Sequence, residues 1–247
     1  MGQWNGKEID SFFWQGYEWA KRPIWGDNHP DDDFTWFDSD LPYVNMNGHL
    51  VLPVKFEPKE FDVNGKKVKK TWGRCTVRTL DEFKYGTFEW EMKCPEAKWQ
   101  WPALWLASDS SWPPEIDCME GWSADTRDYV KMLIYRNIKP SIHWTEKDGS
   151  HGFKTKHNIL KCRLKCGNSF DKYKVIWTPN YVDIYYNKTR VAHFTEKKLL
   201  NMLNKPECKM HAIMSSGPYG KFDYSEFDYL NRNSRHMIVK SFKYTPL

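Results

Sequence analysis

Short runs of apolar, aromatic and β-branched residues alternating with polar ones recur along the chain, at 72–79, 86–93, 101–107, 115–120, 173–177, 181–186, 210–215 and 236–244. Turn signals punctuate them: Asn47-Gly48, Asn64-Gly65, Asp148-Gly149, Pro179-Asn180 and Gly217-Pro218. Period-two runs at such short spacing predict an all-β, many-stranded antiparallel fold, read here as one domain over 1–247. Residues 181–186, then Asn187-Lys188, then 189–194 predict a β-hairpin with a polar two-residue turn. One stretch has helical character: Thr195 as N-cap, an amphipathic run from Glu196, and a stop at Lys205-Pro206. The first 45 residues contain Trp14, Trp19, Trp25 and Trp36 but little periodicity, which predicts long surface loops.

Composition sharpens this picture in one respect. Aromatic residues make up 17% of the chain, with 14 Trp, 13 Tyr and 14 Phe, while charged residues stay near the usual quarter. Such rings build cores, and a tryptophan face is also a platform on which a sugar ring stacks. The net charge of +5 gives mild attraction to anionic partners. Lys66, Lys67, Lys69 and Lys70 resemble a nucleic-acid patch until the Asn64-Gly65 turn signal is noticed; they read as solvated hairpin lysines, and no nucleic-acid partner is expected. The six cysteines, at 75, 94, 118, 162, 166 and 208, lack zinc-site spacing and read mostly as buried thiols. Asp31, Asp32 and Asp33 lack the ligand spacing of a calcium loop and read as solvated. No cofactor or metal is expected. With neither an apolar leader nor a run of ~20 apolar residues, the chain is expected to be soluble, without membrane attachment, and monomeric. A signal peptide removed earlier would place it outside the cytoplasm. The sequon Asn187-Lys188-Thr189 reads as the hairpin turn.

The chemistry concentrates in "PPEIDCMEGW", residues 113 to 122, where Glu115, Asp117 and Glu120 interrupt an apolar stretch. The tripeptide alone carries little meaning, because Glu8-Ile9-Asp10 repeats it without the third acid. On a regular strand Glu115, Asp117 and Met119 face one side, and Ile116, Cys118 and Glu120 the other, which would bury Glu120 in the core. A one-residue β-bulge near Cys118 and Met119 returns Glu120 to the face of the other two acids. At about 3.3 Å per residue the two glutamate Cα atoms then lie roughly 13 Å apart. Leaning side chains on a concave strand shorten that span toward the ~5–5.5 Å carboxyl separation of a retaining glycosidase. One carboxylate then attacks an anomeric carbon, a second donates a proton to the departing oxygen, and Asp117 between them orients the nucleophile and raises the pKa of Glu120. A solvated strand edge is a poor rival beside Trp105, Trp112 and Trp122; a calcium site is the other alternative.

Glu-Ile-Asp, two residues, then Glu, with Trp-Pro ahead, resembles the active-site signature of glycoside hydrolase family 16, the group of laminarinases, lichenases, carrageenases and agarases. The flanks are similar too: "FKYGTFEWEMKCPEAKWQWPALWLASDSSWPP" at 83–114 and "FDKYKVIWTPNYVDIYYNKTRV" at 170–191. The match spans roughly 70–245. The resemblance implies a curved antiparallel β-sandwich of jelly-roll type with a polysaccharide cleft across the concave sheet, and an endo-acting, retaining mechanism. By motif position Glu115 is the nucleophile, Asp117 its assisting acid and Glu120 the acid/base. The extra residue before Glu120 is similar to the bulged branch, typical of laminarinases and marine galactanases.

Further roles follow from the resemblance. Trp112 would stack on the sugar nearest the cut. Trp105 shares the cleft-facing parity of Trp101 and Ala103, with core packing as its alternative. Glu89 matches a substrate-binding glutamate, with an ordinary surface strand glutamate as its alternative; His143 matches a cleft-lining histidine, with a satisfied surface histidine as its alternative; and Tyr219 is a candidate contact on the far side. Where the family's C-terminal strand often carries a calcium-binding Asp, this chain has Lys240, so calcium is not expected. The "MHAIMSSGPYG" segment at 210–220 lacks the family's usual Asn. The implied activity is hydrolysis of a β-1,3- or β-1,4-linked polysaccharide, a galactan or β-1,3-glucan, with the positive charge leaning toward an anionic polymer. A lectin-like binder on the same scaffold and a transglycosylase are the alternatives.

Overall fold

The computed structural model describes residues 3–4, 7–8, 10–23, 35–63, 65–95, 100–122, 136–155, 163–164, 169–218 and 236–247. Among them, two large sheets enclose one apolar core. The seven-stranded sheet runs in the order Thr189–Phe194, Val182–Tyr186, Asp171–Trp177, Gly86–Lys93, Met237–Thr245, Leu50–Leu52 and Tyr43–Val44. The central path of the twelve-stranded sheet is His151–Thr155, Ser141–Thr145, Glu115–Trp122, Ala103–Ala107, His211–Ser216, Lys66–Thr79, Tyr17–Ala20 and Ser11–Trp14, with four further strands pairing off it. Neighbours are antiparallel except Thr35–Phe37, which runs parallel to Lys66–Thr79. This is the antiparallel β-sandwich expected from the resemblance.

Alternation explains which side chains meet. In Gly86–Lys93, Phe88, Trp90 and Met92 point into the core and the residues between them point out. Tyr173, Val175 and Trp177 do the same from the neighbouring strand. Across the core, Leu104, Leu106, Ile116 and Met214 close it from the twelve-stranded sheet. Strand Ala103–Ala107 reads as an unbroken apolar run because both of its faces are covered: Leu104 and Leu106 enter the main core, while Ala103, Trp105 and Ala107 join Ile213 in a second cluster. That second cluster lies on the opposite face of the sheet, where the acids stand.

Two expectations are corrected. The amino-terminal tryptophans are not loop residues: Ser11–Trp14 and Tyr17–Ala20 form a hairpin whose Trp14 and Trp19 enter the core, and Trp36 is buried on Thr35–Phe37. Trp25 and the Asp31–Asp33 triplet lie outside the described residues. The helix spans Lys197–Leu203 with Glu196 rather than Thr195 as its N-cap, and no side chain caps it. Leu199 and Leu203 bury its apolar side. The hairpin turn at Asn187-Lys188 forms as expected, and so does the one closed by Gly65 between Lys55–Val63 and Lys66–Thr79.

Candidate active site

The register of the acid-bearing strand departs from regularity where its chemistry requires. Glu115, Ile116 and Asp117 pair with Ala107, Leu106 and Trp105; the ladder then shifts, and Met119 and Glu120 pair with Leu104 and Ala103. Cys118 is the extra residue of a β-bulge. Ile116, Cys118 and Met119 therefore face the main core, while Glu115, Asp117 and Glu120 share the face of Ala103, Trp105 and Ala107. Each glutamate lies opposite an alanine, which leaves space above the ladder, and Asp117 lies opposite the large Trp105 ring.

The three carboxyls are largely enclosed, and they perturb one another. Burial and the charge of Asp117 push Glu115 from its ordinary 4.5 up to about 8. Two contacts act against that: Trp112 Nε1 donates to Glu115 Oε2 at 2.9 Å, and His143 Nε2 stands 3.7 Å from Oε1. Asp117, 2% exposed, is raised by burial and hydrogen-bonds Glu115. Glu120 is raised well above the carboxylate range by burial and then by the charges of Asp117 and Glu115. At neutral pH the site thus holds protons that ordinary carboxyls would have lost. His143 Nε2 is 3.0 Å from Asp117 Oδ2, and burial lowers the pKa of His143, so it is a neutral hydrogen-bonding partner.

The strands beside the acids carry a row of rings. His143 lies opposite Glu115 on one side and Phe153 on the other. Its ring is nearly coplanar with that of His151, at 9°, and their nitrogens are 2.8 Å apart. Trp112, 53% exposed, sits 4.8 Å from the His151 ring, and Phe153, 62% exposed, follows at 5.8 Å. Together they form an aromatic ledge beside the carboxyls. Trp105 is buried on this face and donates to Ser215 Oγ at 3.3 Å, so it is a floor residue.

Of the sequence candidates, Glu115, Asp117, Glu120, Trp112, Trp105 and His143 come together here. Glu89 does not. It points outward from the seven-stranded sheet between Lys174 and Lys243, because its neighbours Phe88 and Trp90 take the inward positions. Tyr219 lies outside the described residues. Sequence reasoning missed His151 and Phe153, whose signal was their distance from the Asp148-Gly149 turn, which folds them back against His143.

Among the described residues, two groups have donor atoms close enough to hold a cation. In Glu115, Asp117 and His143 these atoms lie within 4.8 Å of one another, but hydrogen bonds already join them. In Glu82, Asp109 and His211 the positive charge comes from Arg78, whose Nη1 is 3.0 Å from His211 Nε2 and 3.6 Å from Asp109 Oδ2.

Comparison with known proteins agrees with the geometry. The model of glycosyl hydrolases family 16 matches residues 33–230. The endo-1,3-1,4-beta-glycanase EglC of Rhizobium meliloti is 24% identical over 152 residues, 61% of this chain and 30% of that protein. A beta-glucanase of Rhodothermus marinus is 25% identical over 162 residues, 62% of this chain and 50% of that one. The chain thus spans between about a third and half the length of these relatives. Among solved structures, porphyranase B of Zobellia galactanivorans superposes with a TM-score of 0.69 at 15% identity, over 95% of this chain and 87% of that one. A Bacteroides ovatus family 16 protein in complex with a mixed-linkage glucan product gives 0.68 at 17% identity, over 97% and 98%. With most of its length matched by the family model and this sandwich around the acids, the chain belongs to glycosyl hydrolase family 16.

Proposed function

We propose that the protein is an endo-acting, retaining β-glycanase in which Glu115 is the nucleophile, Asp117 its assisting acid and Glu120 the acid/base. The observation that carries this reading is the bulge at Cys118, which turns Glu120 onto the face of Glu115 and sets both opposite alanines. A strand serving only the fold gains nothing from that irregularity.

Glu115 ionises with help from the indole N–H of Trp112, attacks the anomeric carbon and becomes a glycosyl ester. Glu120, kept protonated by burial and its acidic neighbours, gives its proton to the departing glycosidic oxygen. It then takes a proton from the water or sugar hydroxyl that releases the ester. Charge developing on the sugar ring is balanced by Glu115 beneath it, while the exposed face of Trp112 stacks on the sugar.

The substrate class is a β-1,3- or β-1,4-linked polysaccharide, with a galactan or a β-1,3-glucan first and an anionic polymer favoured by the net charge of +5. The test is release of reducing ends from laminarin, mixed-linkage glucan, agarose, porphyran and carrageenans, by the protein and by Glu115→Gln in parallel. Cleavage of one polymer, lost in the variant, supports the reading and names the substrate. Binding of a polymer equally by both proteins without cleavage overturns it in favour of a lectin. Products longer than the starting oligosaccharide identify a transglycosylase.

A further inference from the structure

We propose that His151 is a positioning residue that locks His143 in the tautomer protonated at Nε2, so that its N–H points at Asp117. The proposal rests on the glycanase reading for its catalytic consequence, but its physical content stands on the geometry of the two rings.

The ring of His143 meets a different partner at each nitrogen. Nε2 faces two carboxyl oxygens, Asp117 Oδ2 at 3.0 Å and Glu115 Oε1 at 3.7 Å. Nδ1 faces a single imidazole nitrogen, His151 Nε2, at 2.8 Å. A neutral imidazole carries one proton, and two acidic oxygens at one end draw it to Nε2. Nδ1 is then bare and must accept, so His151 has to donate from its own Nε2. The near coplanarity of the rings, 9°, puts that N–H in the plane of the lone pair it meets. In the opposite arrangement Asp117 spends its proton on His143 and has none to share with Glu115. In the arrangement proposed, Asp117 accepts from His143 at Oδ2, and its other oxygen remains free to share a proton with the nucleophile.

The strand that carries His151 is itself held. Gly152, the next residue, has no room for a side chain: a Cβ there would meet Trp144 Nε1 at 2.5 Å, and that indole is anchored to Glu146 Oε1 at 2.9 Å. On its own face His151 is flanked by Trp112 at 4.8 Å and Phe153 at 5.8 Å. It stands exposed at the edge of the site, so it acts on the reaction through His143 rather than by touching the reacting atoms.

Two variants separate the N–H from the ring. His151→Phe keeps an aromatic ring between Trp112 and Phe153 but donates nothing. His151→Gln loses the ring but places an amide N–H at the reach of Nε2. Imidazole 15N shifts of the resting protein, without substrate, are expected to show His143 protonated at Nε2 in the wild type and in His151→Gln, and a mixture of tautomers in His151→Phe. On the polymer the protein cleaves, kcat of His151→Phe is expected to fall roughly 3- to 10-fold, the worth of one net hydrogen bond, with KM little changed and His151→Gln restoring most of the loss. A His143 proton on Nδ1 in the wild type overturns the proposal, as does a His151→Phe protein with unaltered tautomer and kcat. If no polymer is cleaved, the glycanase reading fails, while the lock is still decided by the 15N shifts.

Discussion

Glu115 and Glu120 are five positions apart in the chain yet stand opposite Ala107 and Ala103, which are only four apart, and the difference is the unpaired Cys118. An even spacing on the partner strand puts both acids on one face. If they divide the reaction as proposed, they respond differently to the leaving group. Glu120→Gln should lose on the order of 10²–10⁴ in kcat on polymer and far less on an aryl glycoside whose phenolate departs unaided. Glu115→Gln should be inactive on both. Equal losses on the two substrates would contradict the division of roles.

Stability should carry the mark of the buried acids. Glu115 releases its proton at about 8 in the folded chain and near 4.5 when unfolded. Between those values the unfolded chain has lost a proton that the folded one retains, so folding weakens as pH rises through this window. Glu115→Gln has no such proton to lose. Its melting temperature should exceed that of the wild type increasingly from pH 5 to pH 8, at roughly 2–4 °C per kcal/mol for a chain of this size. A difference constant with pH would show that Glu115 is not perturbed by its surroundings.

Removing the charge of Asp117 should move catalysis as well as slow it. The Asp117 charge raises the pKa of Glu115, second only to burial. In Asp117→Asn that charge is gone, Glu115 ionises more readily, and the acid limb of kcat/KM should shift to lower pH. The pH profile is the measurement, and an acid limb left in place would mean that another group controls it.

Trp112 should act in the opposite direction. Its indole N–H favours the ionised form of Glu115. Trp112→Phe retains a ring for stacking but not the donor, so the acid limb should move to higher pH. Trp112→Ala should in addition raise KM roughly 2- to 10-fold by removing the stacking face. Unchanged KM and pH profile in both variants would place Trp112 outside the sugar's path.

Much of this arrangement is legible in the sequence because it conflicts with strand alternation. An acid destined for the core at position 120 calls for a bulge, and the ladder has one. Other features lie below the reach of periodicity. The hairpin of Trp14 and Trp19 has strands of only four residues, and its turn is Gln15-Gly16 with φ of 54° and 82°, a pair without the Asn that usually signals such a turn. Glu89 sits on a strand that is easily recognised, but alternation does not say which sheet the strand joins or which way its polar face looks. His151 becomes part of the site only through the pairing of Ser141–Thr145 with His151–Thr155, a tertiary fact encoded by the Asp148-Gly149 turn rather than by the residue.

The most direct test uses an oligosaccharide of the cleaved polymer, fluorinated at C2 of the sugar before the scissile bond and carrying a good leaving group. Fluorine slows breakdown of the glycosyl ester, so the intermediate accumulates and tandem mass spectrometry locates it. The expected adduct lies on Glu115, within the peptide that also contains Glu120. An adduct on Glu120, or products of inverted anomeric configuration with no adduct at all, would contradict a retaining mechanism with Glu115 as its nucleophile.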